Sequence, residues 1–84
     1  MAQVTNVKMT INGQLVATAP SADIGLPNQH RLILKNTNWK IDFKQALNYL
    51  QKPCQISADG PANTPYNANL TVAGIVGDGT VNLD

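Results

Sequence analysis

Apolar and polar residues alternate along most of this chain, and in a single stretch the apolar ones recur at a helical spacing instead. Val7, Met9 and Ile11 are separated by Lys8 and Thr10, the period of two that turns one face of a strand toward a core. Asn12-Gly13 follows, the dipeptide that tight hairpin turns favour. Leu15, Ala17 and Ala19 then alternate with Val16 and Thr18. A two-residue turn pairs Met9 with Val16 and sends Leu15 to the other face. A three-residue loop with Gly13 as a bulge pairs Met9 with Leu15 and Val7 with Ala17. The second register gathers the odd-numbered apolar residues on one face and is the one expected, because a slip of one residue turns a whole strand over.

Residues 20–29 read as a loop, with Pro20, Pro27, Gly25 and several small polar side chains. Arg31 to Lys35 reads as a third strand, nearly continuous in apolar character, and Asn36-Thr37-Asn38 as a turn. Cys54, Ile56 and Ala58 alternate with Gln55 and Ser57 in a fourth strand. Residues 59–68 form a second long loop carrying Pro61, Pro65 and Gly60. A fifth strand covers 70–76, Gly77-Asp78-Gly79 turns, and 80–83 returns along an edge.

The helical exception is Asp42 to Lys52. Phe43, Ala46, Leu47 and Leu50 fall at i, i+3, i+4 and i+7, with Lys44, Gln45, Asn48, Gln51 and Lys52 on the other side. Asp42 is placed as an N-cap, Gln45 as the third-position partner of a capping box, and Pro53 as the stop. So short a helix is marginal alone in water, so its apolar stripe is expected to lie on a sheet. The order strand–strand–strand–helix–strand–strand–strand predicts one α+β domain over 1–84. It has a small, mostly antiparallel sheet of five to six strands with the central helix on one face. A small barrel or open roll of these strands is the alternative.

Composition changes this picture in two ways. Charged residues make up 13% of the chain, there is no glutamate, and ten asparagines carry much of the polarity. Such a neutral, amide-rich surface suits packing against other protein surfaces, and equally suits a plain β-rich domain. The lone Cys54 excludes an internal disulfide. The first twenty residues show strand-like alternation instead of a leader, and no apolar run is long enough to span a membrane, so the expected location is cytoplasmic.

Candidate chemistry is thin. Two potential zinc ligands of the Cys and His type, His30 and Cys54, fall short of the about four a zinc site needs. No spacing joins them as a nucleophile and base. Asp59-Gly60 and Asp78-Gly79 read as turns, and the glycines at 74, 77 and 79 precede no helix, so no phosphate loop forms. No catalytic residue, metal or cofactor is expected, and the chain is read as a non-enzyme.

Two binding surfaces are expected instead. The first is a protein-interaction surface made of an exposed sheet edge and the loops 20–29 and 59–68, with Leu26, Trp39 and Tyr66 as anchors. It implies a homo-oligomer, a partner protein, or both, in a bacterial or phage setting, and no membrane partner. The second, an alternative, is a nucleic-acid or nucleotide-binding face over 30–52. There Arg31, Lys35, Lys40 and Lys44 lie around Trp39, pairing phosphate contacts with base stacking. A net charge of only +1 weighs against it.

Overall fold

The computed structural model describes residues 3–25, 28 and 30–84. Strands β1 (Gln3–Ile11), β2 (Gln14–Ile24), β3 (Leu32–Lys35), β4 (Asn38–Trp39), β5 (Pro53–Asp59), β6 (Pro65–Ile75) and β7 (Val81–Leu83) are joined by one short helix, α1 (Phe43–Leu47), and a single 3₁₀ turn at Pro61–Asn63. All pairings are antiparallel, in the order β1-β5-β6-β7-β3-β2, and β1 pairs with β2 as well. The six strands therefore close into a barrel, and β4 rides on β2 beyond β3. This corrects the expected α+β architecture: the fold is nearly all β, and its helix is not central.

Closure explains why alternation alone builds the core. Val4, Val7, Met9, Ile56, Leu70, Val72, Leu32, Leu34, Val81 and Leu83 point into the barrel, and no polar or charged side chain among the described residues is buried with them. An interior filled by its own strands gives a helix nothing to cover. The residues expected to face a sheet therefore do not: Phe43, Leu47 and Leu50 are exposed, and of that stripe Ala46 alone is buried. The helical run is also shorter than expected. Beyond Leu47 the chain proceeds by i→i−3 bonds, Asn48 to Gln45, Tyr49 to Ala46 and Leu50 to Leu47. Asp42 occupies the N-cap position in extended conformation, without a side-chain cap bond.

The hairpin register is a second correction. Ile11 lies opposite Gln14 and Thr10 opposite Leu15, across a two-residue turn in which Asn12 and Gly13 both have positive φ. A bulge then shifts the pairing, so Met9 meets Ala17 and Val7 meets Ala19. Leu15 consequently faces outward. Strands run into both expected long loops, β2 through Ile24 in the first and β5 and β6 over Asp59 and Pro65–Ala68 in the second, and part of 20–29 lies outside the described residues. Pro20 sits inside β2, at the gap where β2 changes neighbour from β4 to β3, so its missing N–H interrupts no ladder there. The second loop shrinks to Gly60–Thr64, closed by Gly60 N–H to the Thr64 carbonyl at 2.6 Å. Closure also removes the long unpaired sheet edge on which the interaction surface was to be built. No helix among the described residues is long and apolar enough to cross a membrane.

Candidate functional site

One end of the barrel collects what the core leaves out. There β1 and β6 finish, and β2 and β5 begin. The chain from β4 to β5 crosses this end and is pinned at both sides. Lys40 N–H donates to the Val16 carbonyl at 2.9 Å. At the exit, Gln51 N–H donates to the Val72 carbonyl at 2.7 Å and Val72 N–H to the Lys52 carbonyl at 3.0 Å. Ile41, Ala46 and Tyr49 turn toward the core. Helical spacing then forces Phe43, Leu47 and Leu50 onto the solvent side.

Those three are 45%, 40% and 37% exposed. Leu15, beside the hairpin turn, is 41% exposed, and Val76, just past the end of β6, is 44% exposed. All five large hydrophobic side chains that stand exposed among the described residues thus share one end of the barrel. Lys40, Lys44 and Lys52 are exposed on the same crossing segment, with Asp42 as its one acid. An open depression of about 240 Å³ lies beside them, lined by Ile11, Asn12, Asn48, Tyr49, Lys52 and Pro53.

The anticipated anchors fall elsewhere. Trp39 lies opposite Ala17 on β4, half-buried against the core. Tyr66 is a strand residue opposite Ala58, also half-buried against the core, and not the tip of a loop. Leu26 lies outside the described residues. The anticipated basic face is divided. Lys35 ends β3 and Arg31 immediately precedes it, both exposed, and Lys35 Nζ is 3.8 Å from an Asp23 carboxylate oxygen. Lys40 and Lys44 belong to the apolar end. Because β3 and β4 follow one another along β2, Arg31 and Lys40 stand at opposite ends of that strand.

The groups with potential chemistry are occupied structurally. Cys54 points inward opposite Leu70, and burial pushes its thiol up to about 11. His30 Nδ1 lies 2.7 Å from a carboxylate oxygen of Asp84. Hydrogen bonds from the Thr80 side chain, then from its backbone N–H, hold the Asp78 carboxyl below its ordinary value in the Gly77–Gly79 turn.

Sequence reasoning named Phe43, Leu47 and Leu50 but assigned them to the core, and it passed over Leu15 and Val76 in this role. The one available signal was the Asn12-Gly13 turn, whose two-residue form sends Leu15 outward. Comparison with known proteins adds no identity to the barrel: the chain matches no family model, no curated protein and no solved structure.

Proposed function

We propose that this barrel is a non-enzymatic protein-interaction module that docks through its capped end. The observation that carries the reading is the exposure of Phe43, Leu47 and Leu50 on the segment that crosses one barrel end, with Leu15 exposed where β2 begins and Val76 where β6 finishes. Exposed apolar residues scattered singly are ordinary, whereas a group sharing one end has the makings of a contact surface. The inward, proton-retaining Cys54 supports a non-catalytic role. A cytoplasmic location goes with the reading.

The test uses a synthetic amphipathic helical peptide with a leucine stripe, followed by fluorescence anisotropy. Wild-type protein binds it. F43S/L47S/L50S still unfolds cooperatively in urea and does not bind it. Equal binding by both proteins removes the reading. Nucleic-acid binding remains the alternative. It now rests on Lys40, Lys44 and Lys52, since Arg31 and Lys35 stand apart and Trp39 is half-buried. Salt-sensitive oligonucleotide binding that K40A/K44A weakens is what would favour it.

A further inference from the structure

Resting on that docking reading, we propose that the capped end takes a different protein, one whose contact surface is apolar at its centre and acidic around it, and not a second copy of this chain. The argument is charge complementarity combined with what the rest of the molecule offers. Lys44 follows Phe43 directly, Lys52 lies two residues past Leu50, and Lys40 leads into the segment. All three are exposed, and only Asp42 opposes them between Lys40 and Lys52.

A twofold pairing of this end with itself brings together two crossing segments that each carry three lysines against the one acid Asp42, so like charge predominates across it, with Asp78 near Val76 the other acid on that side. In an isologous contact the same patch serves on both sides, and charges brought within the screening length of about 8 Å at physiological salt repel. A head-to-tail pairing fails for the opposite reason. The far end, where β2 and β5 finish, holds acids at Asp23 and Asp59. Asp23 is paired with Lys35 at 3.8 Å, and Asp59 accepts from the neutral Asn6 amide at 2.8 Å and keeps its charge, so what the far end lacks is the apolar centre. Among the described residues, no large hydrophobic side chain is exposed there to meet Phe43, Leu47 and Leu50. Among the described residues, the far end therefore offers no apolar complement to the capped end. A surface that supplies both parts is an acid-bordered apolar one, and such complementarity sets the choice of partner and the rate of encounter.

The experiment compares two peptides of about 20 residues, long enough to hold a helix. They share one leucine stripe and differ in its flanks, glutamate in one and lysine in the other. Wild-type protein is expected to bind the glutamate peptide about tenfold more tightly. K40Q/K44Q/K52Q abolishes the preference, and K40E/K44E/K52E reverses it. In about 1 M salt, where screening acts within about 3 Å, the preference collapses. Urea midpoints of the variants confirm that each is folded.

Equal affinity for the two peptides, with both lost in F43S/L47S/L50S, overturns the acidic partner and leaves the docking reading standing. A homodimer seen by light scattering and broken by F43S/L47S/L50S overturns the proposal by assigning the end to a second copy. If wild-type protein binds neither peptide and stays monomeric, both the proposal and the docking reading fall.

Discussion

Met9 faces Ala17 across the first hairpin, although the two-residue turn between their strands counts Met9 to Val16. Val16 is the extra residue of a bulge, and it is fully buried. The bulge lets odd-numbered residues face inward on both sides of a two-residue turn, which an unbroken ladder does not permit. It also bends β2, as closing a small barrel requires. Leu15 pays no part in the core as a result. Leu15→Lys should change stability by no more than about 0.5 kcal/mol, and Val16→Ala should cost about 1–3 kcal/mol. The three-residue-loop register, which pairs Met9 with Leu15, predicts the reverse ranking, so urea denaturation of the two variants separates it from the observed one.

The same kind of pair tests which side of α1 meets the core. Ala46 is fully buried, and adding atoms there forces neighbours apart. Ala46→Leu should cost about 1–3 kcal/mol by overpacking. Leu47→Ser, one residue along, should cost less, about 1 kcal/mol or below, because Leu47 is 40% exposed. A helix lying on a sheet through Phe43, Leu47 and Leu50 would instead lose several kcal/mol on Leu47→Ser, as core truncations do. Thermal or urea unfolding of the two variants decides between them.

How much of this was legible follows from what periodicity encodes. Alternation through Val7–Ile11 and Cys54–Ala58 reports that one face of a strand is buried, and those strands are where it placed them. It cannot report what does the burying. A barrel interior and a helix laid on a sheet produce the same alternation, and the choice between them lies in β1 pairing with β5, about fifty residues away in sequence. The amphipathic stripe of Phe43, Leu47 and Leu50 was equally real, but a stripe says nothing of whether the fold covers it. Pro20 read as a loop residue because a proline interrupts most ladders, and the gap between β3 and β4 that accommodates it is a tertiary feature. Of the site, the excess of cations over 31–52 was visible, and their division between β3 and the capped end was not.

Gly79 holds the last turn against the β3–β4 link. Its φ is +98°, a Cβ there would stand 3.3 Å from the Thr37 backbone nitrogen, and its carbonyl accepts Thr37 N–H at 2.9 Å. Gly79→Ala is expected to cost about 1–2 kcal/mol from the left-handed backbone, with crowding added. Gly77 meets nothing within 4 Å and serves as the control. Gly77→Ala should leave stability within about 0.5 kcal/mol of wild type. Equal effects at the two positions would mean that the turn is not held by its approach to Thr37.

The buried Cys54 thiol sets an alkaline limit on the fold. Burial raises it from 9.0 to about 11, against the smaller opposing effect of a backbone hydrogen bond from Leu70. In the unfolded chain the thiol ionises near 9, while in the barrel it keeps its proton to about 11. Between those values the native state binds more protons than the unfolded state, so stability falls as pH rises. Below pH 9 both states hold the proton and the contribution is fully present. Wild-type protein should therefore lose stability from pH 9 toward 11 more steeply than Cys54→Ala, whose own lower stability from the cavity should be nearly constant over that step. Paired urea titrations at about pH 8, 9.5 and 10.5, which start below the open-chain value of 9.0 and rise toward the barrel value of about 11, give the comparison. Parallel curves would show that the thiol ionises in the barrel as readily as in the open chain. In that case Cys54 should also react with a thiol reagent in the native protein at an unfolded-chain rate, where the buried geometry predicts strong protection.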